Sequence, residues 1–373
     1  MKIFICGPTL YEKCHIGHAR IFVFFNFLIN FHKFMGHSPL ALMQLTDIDP
    51  KIYQKNVSDN DRIFDITNIL FTNLIDDINS LQVANNFIFT RVSDFIQVIE
   101  KDVVNILFSS DGYSYAGNVY LNVFNNIDSP FGLSYDDIND MPIDISKGKH
   151  NQTDIILWNS ENFYPRGIIK DICKSENHRT LTSGIPGWHF QDYEIIRYVF
   201  EGICDIHGGA RELLYPHHEF IDEISKNFDK KNNKLLHHKA WIHVGLVNVR
   251  GEKMSNSTGN TILISDILKK YNPNVLKIFF LSYHYKNDIE FKIKDLDNCD
   301  KIDKYITMNI FQEKDLTEQN NYNEKQLRIK FMNLLTDDYN TGSVIKLIIE
   351  LLETNRNSSL IRWMLEILGL RYY

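Results

Sequence analysis

Two imidazole side chains flank a glycine near the start of the chain, at His15 and His18 with Gly17 between them. A short apolar segment over 2–6 predicts a buried strand before them, and the apolar segment 19–34 predicts a helix after them. The N-terminus of such a helix offers N–H groups that bind phosphate, and imidazoles there can donate hydrogen bonds to a phosphorus centre that gains charge. The spacing favours phosphate chemistry, with a loop that merely contains two histidines as the alternative.

A second loop with side chains suited to phosphate binding runs from Lys253 to Asn260. It combines one lysine with hydroxyl and small side chains. The pattern predicts a strand near 241–247 before this loop and, after it, an amphipathic helix over 265–283 that is broken at Asn272-Pro273. A loop of this composition can close over a triphosphate. An ordinary surface turn is the alternative.

Histidine, glycine and aromatic residues are dense between positions 187 and 219. Cysteine and histidine side chains are good zinc ligands, so these histidines together with Cys6 indicate a candidate metal site. A single histidine is more often structural, and it is the group that favours a site. The group comprises Trp188, His189, His207, Gly208, Gly209, His217 and His218.

The elements that carry these residues have the order of a parallel sheet. A second strand is predicted at 39–45, so that strand, helix and strand follow one another as in a βαβ unit. Ligands of such sheets bind at the carboxyl ends of the strands, where Thr46 lies. The sequence therefore predicts an α/β fold. Further along it predicts helices over 61–108, a hairpin over 112–124, an apolar island at 154–158, a strand near 203–207 and helices over 288–373.

The composition excludes several classes of protein. The 373 residues are 44% hydrophobic and 23% charged, which is typical of a globular protein rather than a disordered one. The net charge of −7 disfavours nucleic-acid binding through bulk positive charge. The five cysteines contain no CxxC pair, and the N-terminus has no signal-peptide pattern, so we expect a cytoplasmic protein.

Together these motifs resemble those of the class I aminoacyl-tRNA synthetases, and in detail those of the cysteinyl-tRNA synthetase family. The two class signatures correspond to His15–His18 and to the KMSKS-like segment Lys253–Ser257. The resemblance extends over about residues 2–345. Its more specific blocks are Cys6–Tyr11, Cys14–Arg20, Leu45–Asp49, Pro186–His189, Asp205–Gly209 and Tyr215–Glu219, with Asp337–Thr341 similar to part of the helical domain.

The resemblance implies a Rossmann-type parallel-sheet catalytic domain with an insertion, followed by a helical C-terminal region. The implied boundaries are 1–90 for the first half of the catalytic domain, 91–185 for the insertion, 186–264 for the second half, 265–320 for a stem-contact region and 321–373 for a truncated helical tRNA-binding domain.

The resemblance also implies an ATP- and Mg²⁺-dependent ligase that converts cysteine to cysteinyl-adenylate and transfers it to tRNA-Cys. The implied catalytic residues are His15, His18 and Lys253. ATP is expected at Gly7, Thr9, His15, Gly17, His18, Gly208, Gly209, Lys253, Met254, Ser255, Asn256 and Ser257. Cysteine is expected at Cys6, Thr9, Tyr11, Thr46, Trp188 and His189. We expect a monomer that binds no membrane.

The zinc ligands of the family are only partly retained. The family binds zinc through Cys, Cys, His and Glu, and a substrate thiolate can join that ligand shell better than a hydroxyl. The corresponding residues here are Cys6, Asp192, His217 and Ile221. A carboxylate at position 192 can still bind zinc, whereas Ile221 cannot. The sequence therefore leaves both outcomes, zinc bound or absent, as alternatives. The predicted zinc ligands are Cys6, Asp192 and His217. Neighbouring alternatives are His218, Glu219, Asp222 and Glu223.

Two further departures keep other functions open. Asn256 occupies the position of the family's second KMSKS lysine, and the chain ends soon after Leu370, where relatives continue into an anticodon-binding domain. The second departure predicts anticodon recognition that is reduced or absent. One alternative is a related ligase that joins an activated amino acid to a small amine. A second alternative is a degenerate paralogue that binds tRNA without chemistry.

Overall fold

The computed structural model describes residues 1–55, 63–109, 111–123, 129–132, 148–151, 153–160, 181–182, 184–232, 237–254, 259–310, 318–354 and 358–372. The chain forms two compact units. The first comprises Met1–Glu12, Leu40–Thr72 and Ile88–Ile242, and the second comprises Lys13–Pro39, Asn73–Phe87 and His243–Tyr373. Each unit is therefore assembled from segments that are distant in sequence.

Strands occur in both units. They are β1 (Lys2–Thr9), β2 (Leu40–Thr46), β3 (Ile88–Arg91), β4 (Gly112–Tyr115), β5 (Asn118–Leu121), β6 (Ile155–Asn159), β7 (Ile185–Pro186), β8 (Ile203–Cys204), β9 (Ile206–Ala210), β10 (His237–His238), β11 (Trp241–Val244), β12 (Val247–Val249), β13 (Glu252–Lys253) and β14 (Ile289–Glu290).

Helices make up most of the remaining described chain. They are α1 (Ile16–Phe34), α2 (Pro50–Lys55), α3 (Ile63–Ser80), α4 (Ile96–Phe108), α5 (Trp188–Phe200), α6 (Glu219–Asn232), α7 (Ile264–Leu268), α8 (Pro273–Leu281), α9 (Ile293–Asn309), α10 (Glu318–Thr336), α11 (Thr341–Glu353) and α12 (Ser358–Ile367). Among the described helices, none has both the length and the apolar composition that crossing a bilayer requires.

The main sheet of the first unit has the strand order β11-β9-β1-β2-β3. Strand β1 pairs in parallel with β2 and with β9, and β2 pairs in parallel with β3. The chain enters the second unit within β11. This parallel sheet confirms the predicted α/β fold, and the carboxyl end of β1 leads directly into the predicted site.

A smaller antiparallel sheet, β4-β5-β6-β7, lies in the sequence that was predicted to be an insertion. Strands β4 and β5 form the hairpin predicted over 112–124, and β6 contains all but the first residue of the apolar island predicted at 154–158. Buried side chains of β5, β6, β7, α4 and α5 share one apolar core with β1. This antiparallel sheet therefore belongs to the first unit, and the boundaries predicted for an insertion remain a prediction.

The second unit is organised around α1, most of which is buried. The ring of Phe24 stacks on that of Tyr285 at 4.6 Å between centroids, and α8 and α12 also pack against α1. Helix α8 begins where the sequence indicates a break, because the side chain of Asn272 accepts a hydrogen bond from the N–H of Asn274 and Pro273 occupies the first turn.

One stretch predicted as helical is interrupted. Within 61–108 the structure places helices α3 and α4, but residues Ile88–Arg91 form β3 and pair with β2. The apolar spacing continues through this stretch, and so the local pattern does not distinguish a short strand from a helix. The partner strand β2, about 45 residues away, supplies the backbone hydrogen bonds that decide the outcome.

The buried amine of Lys277 predicts a pH dependence of stability. Its Nζ donates to the Gly369 carbonyl at 3.0 Å, and burial, with a contribution from Arg371, lowers its pKa to about 7. Between pH 7 and the ordinary lysine pKa of about 10.4, the unfolded chain binds more protons, so the free energy of unfolding rises with pH by up to about 1.4 kcal/mol per unit. We expect Lys277→Met to flatten this slope in urea titrations.

The matched control is Lys325→Met, which removes a lysine that is exposed in the same unit. This variant is expected to keep the wild-type slope. An unchanged slope in Lys277→Met would show that Lys277 does not titrate differently in the folded protein.

Candidate active site

The first turn of α1 presents two histidine rings in a fixed orientation. His15 precedes the helix with an extended backbone, and its Nδ1 accepts from the N–H of Gly17 at 3.1 Å. The Nδ1 of His18 in turn accepts from the N–H of His15 at 3.2 Å. The two rings stack at 3.9 Å between centroids. Because each Nδ1 is an acceptor, the proton of each neutral ring is on Nε2, where it serves as a donor.

The protonation of His18 follows from its surroundings. Burial, and to a smaller extent His15, holds the pKa of His18 well below its ordinary value. The ring is therefore neutral at pH 7 and acts as a hydrogen-bond donor rather than as a cation. The N-terminus of α1 adds backbone N–H groups and the positive end of the helix dipole. This helix start is suited to an anion that gains charge during a reaction.

The segment after the KMSKS-like motif is joined to the start of α1. The N–H of Ile16 donates to the Ile262 carbonyl at 3.0 Å, and the N–H of Ile264 donates to the Cys14 carbonyl at 3.2 Å. His15 and Leu263 form an antiparallel bridge between these two bonds. We call this set of backbone contacts, from Cys14 to Ile16 and from Ile262 to Ile264, the motif seam. It joins the predicted helix start to the segment that follows the lysine-bearing loop, within the second unit.

Two further contacts position the start of the lysine-bearing loop. Lys253 pairs with Asn248 in the antiparallel hairpin of β12 and β13, and its carbonyl accepts from the Asn260 Nδ2 at 3.2 Å. Met254 is buried, and a Cβ added to Gly17 would lie 3.4 Å from its terminal methyl group. Ser255, Asn256 and Ser257 lie outside the described residues, so their predicted contacts with ATP remain predictions.

A second cluster surrounds the sulfur of Cys6 in the first unit. Asp192 and His217 form a first triangle with this sulfur. Cys6 Sγ lies 3.1 Å from Asp192 Oδ2 and 3.8 Å from His217 Nε2, and Asp192 Oδ2 lies 3.0 Å from His217 Nε2. A second triangle places His207 Nε2 at 3.3 Å and His218 Nε2 at 3.2 Å from the same sulfur. Both triangles consist of buried groups close enough together to bind one metal ion.

The first triangle contains an unsatisfied buried carboxylate oxygen. Asp192 is fully buried, and its Oδ1 has no hydrogen-bond partner among the described residues. Burial, followed by the neighbouring Asp192, raises the pKa of the Cys6 thiol well above its ordinary value. A dication would neutralise this carboxylate and favour the thiolate. A zinc ion therefore fits between Cys6, Asp192 and His217. Their donor atoms are ones that zinc binds, all three side chains are buried, and one carboxylate oxygen has no hydrogen-bond partner among the described residues.

Outer residues fix the histidine rings of both triangles. His189 Nδ1 lies 2.9 Å from His217 Nδ1, and the Trp188 indole stacks on His217 at 4.3 Å between centroids. On the other side, His207 Nδ1 lies 3.3 Å from His238 Nδ1. Such contacts at the far ring nitrogen orient an imidazole for metal binding. Trp188 and His189 were predicted to bind cysteine; both rings lie against His217, and their binding of cysteine remains a prediction.

The position of the family's fourth zinc ligand is apolar. Ile221 is fully buried in the core of the first unit. Of the alternatives that the sequence offered, the carboxylate of Glu219 accepts from Ser129 at 2.8 Å, while Asp222 and Glu223 pair with Lys226. His218 is the alternative that lies against Cys6.

The remaining predicted residues lie at the ends of β1, β2 and β9. Thr9 pairs with Thr46 across β1 and β2, and Gly208 pairs with Ile5. A Cβ on Gly7 would lie 2.2 Å from the Gln44 carbonyl, so this position requires glycine. Gly209 and Tyr11 also belong to the first unit. Their predicted contacts with ATP and cysteine remain predictions.

Two aromatic side chains of the cluster were missed by the sequence reasoning. His238 reaches the Nδ1 of His207, and the indole of Trp241 stacks on His207 at 4.4 Å between centroids. The only signal was the pair His237-His238 shortly before a predicted strand whose first residue is Trp241. That strand, β11, lies beside β9 in the sheet, which brings its first residue to His207.

The parallel sheet, the histidine pair at the start of α1 and the adjoining lysine-bearing loop define a class I tRNA synthetase. The model for the class I (C) tRNA synthetase catalytic domain matches residues 1–301, and the chain belongs to this family. Its curated relatives place it among the cysteine–tRNA ligases. A Cysteine--tRNA ligase of Buchnera aphidicola (strain Tuc7) is 30% identical over 93% of this chain and 72% of its own length. That of Pseudothermotoga lettingae is 31% identical over 95% and 75%, respectively.

Solved structures share the fold at low sequence identity. Methionyl-tRNA synthetase from Mycobacterium tuberculosis, in complex with methionyl-adenylate, superimposes with a TM-score of 0.66 at 10% identity and covers 98% of this chain and 88% of its own. The ternary complex of agnB2 LeuRS with tRNA and LeuAMS, from Agrobacterium radiobacter K84, has a TM-score of 0.69 at 9% identity, with coverage of 99% and 82%. These likenesses confirm the Rossmann-like class I fold.

Proposed function

We propose that this chain is a cysteine–tRNA ligase that activates cysteine with ATP and transfers it to tRNA-Cys. The motif seam is the observation that supports the proposal most directly, because it joins the His15–His18 helix start to the segment that follows the Lys253 loop. Family membership supports the same activity. The reaction needs charge stabilisation on phosphate oxygens, and this part of the second unit supplies imidazole donors, a helix N-terminus and a lysine.

In the first step, a carboxylate oxygen of cysteine attacks the α-phosphorus of ATP. A new P–O bond forms as the bond between the α-phosphorus and its bridging oxygen to the β-phosphate breaks, and pyrophosphate leaves. The Nε2–H groups of His15 and His18 donate to phosphate oxygens as charge develops. Lys253 adds a positive charge near the leaving pyrophosphate. Mg²⁺ accompanies ATP, as in other phosphoryl chemistry.

In the second step, a hydroxyl of the terminal ribose of tRNA-Cys attacks the acyl carbon of cysteinyl-adenylate. The new ester bond forms, the mixed anhydride bond breaks and AMP leaves. Family membership supports tRNA as the acceptor. We keep the expectations of a monomeric, cytoplasmic enzyme, and the proposed regions for tRNA contact are 265–320 and 321–373.

A zinc ion bound by Cys6, Asp192 and His217 would give the enzyme its preference for a thiol. When bound, zinc supplies a Lewis-acidic centre that accepts a thiolate more readily than a hydroxyl. The protein residues bind and orient: Cys6 and Asp192 provide anionic ligands, and His189 orients the ring of His217. Zinc ligation would replace an editing step, since an apolar pocket alone separates such similar substrates by only about 1–3 kcal/mol.

The test is ATP–pyrophosphate exchange with each of the twenty amino acids, followed by charging of tRNA-Cys. Exchange that depends on cysteine, with little response to serine, is the expected result. Folded protein without cysteine-dependent exchange would contradict the proposal and support the paralogue without chemistry. Exchange without tRNA charging would favour the ligase that uses a small amine.

A further inference from the structure

A buried arginine on α1 binds four backbone carbonyls of the second unit. Arg20 is 2% exposed. Its Nη1 donates to one carbonyl, and the two N–H groups of its Nη2 are shared among three. The acceptors are the carbonyl oxygens of Leu246 at 3.0 Å, His284 at 3.2 Å, Tyr285 at 3.2 Å and Asn287 at 2.6 Å. A planar guanidinium has enough donors in fixed directions to serve such a set, whereas an ammonium does not.

These carbonyls belong to two segments that approach each other closely. The Gly245 N–H donates to the Tyr285 carbonyl at 2.8 Å, and a Cβ on Gly245 would lie 2.3 Å from the Asn287 carbonyl oxygen. Just beyond, β12 and β14 pair in parallel, with Val247 opposite Ile289. Arg20 therefore anchors the place where these two strands begin.

The anchored segment leads directly to the loop of the proposed active site. Strand β12 starts one residue after Leu246, and its Asn248 pairs with Lys253 in the hairpin. Arg20 itself lies two residues after His18 on the helix that presents the histidine pair. One guanidinium thus connects the histidine helix to the start of the lysine-bearing hairpin.

We propose that Arg20 is a positioning residue that fixes the Lys253 hairpin relative to His15 and His18 during adenylate formation. The proposal rests on the proposed function, because it assigns a role in the same reaction. Arg20 acts through the backbone carbonyls it binds. Small misplacements of reacting groups have large rate effects, on the order of 10²-fold for a displacement of about 1 Å.

The test uses Arg20→Lys, which keeps the positive charge but loses the planar set of donors. We expect kcat of cysteine-dependent exchange to fall about 10- to 100-fold, with KM for cysteine changed less than about twofold. Hydrogen exchange at the Ile16 and Ile264 amides of the motif seam should quicken roughly tenfold. Arg362→Lys is the control, since Arg362 donates to the Ile310 carbonyl in the same unit but lies on α12.

A second variant approaches the same junction from the other segment. Gly245→Ala introduces a Cβ at the Asn287 carbonyl. This variant should show the same lower kcat and the same faster amide hydrogen exchange at the motif seam. Hydrogen exchange at both seam amides that is as slow in folded Arg20→Lys as in the wild-type protein would overturn the proposal. A loss of kcat in Arg362→Lys equal to that in Arg20→Lys would also overturn it. The hydrogen-exchange result is independent of activity, so it stands even if the wild-type protein shows no cysteine-dependent turnover.

Discussion

Replacement of His18 by asparagine is expected to lower cysteine-dependent ATP–pyrophosphate exchange by about 10²- to 10³-fold, mainly in kcat. The asparagine amide oxygen can take the place of Nδ1, which accepts from the His15 N–H, so the start of α1 is kept. What is lost is the Nε2–H donor. Because this donor is proposed to act on charge that develops in the transition state, KM for ATP should change far less than kcat.

Two companion variants make this prediction specific. His18→Gln places an amide near the former Nε2 and should recover part of the lost rate. His37→Asn alters an exposed histidine just beyond the end of α1 and should leave the exchange rate unchanged. Equal activity of His18→Asn and the wild-type protein would contradict the role given to the histidine pair.

Replacement of Cys6 by serine is expected to abolish tight zinc binding and to reduce the preference for cysteine over serine to about 10- to 200-fold. The first effect follows because Cys6 is shared by both ligand triangles. The second follows because an apolar pocket without a thiolate-binding metal discriminates only by size and polarity. Zinc content after dialysis and exchange rates with both amino acids measure the two effects.

Further variants separate the two triangles and control for loss of a thiol. Cys299→Ser removes a buried free cysteine of the second unit and should retain zinc. Asp192→Asn and His217→Asn should lower zinc affinity by at least 10- to 100-fold, whereas His207→Asn should have a smaller effect. The reverse order would assign the ion to the triangle of His207 and His218. Unchanged zinc content in Cys6→Ser would contradict a metal centre at this sulfur.

Much of the site could be predicted from the sequence because its signals are local. The segment from β1 through α1 to β2 follows from apolar runs separated by loops, and the helix start follows from a motif of four residues. The structure begins α1 at Ile16, three residues before the predicted apolar run, because His15 and His18 themselves cap the helix. This cap is made by imidazoles, which the ordinary capping preferences do not include.

The features that could not be predicted depend on contacts between distant segments. Strand β3 is decided by its pairing with β2, and the roles of His238 and Trp241 are decided by the position of β11 beside β9. In the same way, Arg20 stands next to a recognised motif, but its four carbonyl partners lie more than 220 positions later in the chain. The residues next to Arg20 in the sequence therefore do not indicate which carbonyls it binds.

Charging of tRNA-Cys is the measurement that tests the central claim most directly. Purified protein would be incubated with a tRNA-Cys transcript, ATP, Mg²⁺ and labelled cysteine, and acid-precipitable label would be counted. The account predicts charging that requires ATP, slows by about 10²- to 10³-fold with His18→Asn and does not occur with serine. A well-folded protein that leaves the transcript uncharged under these conditions, while a cysteine–tRNA ligase from a relative charges it, would contradict the account.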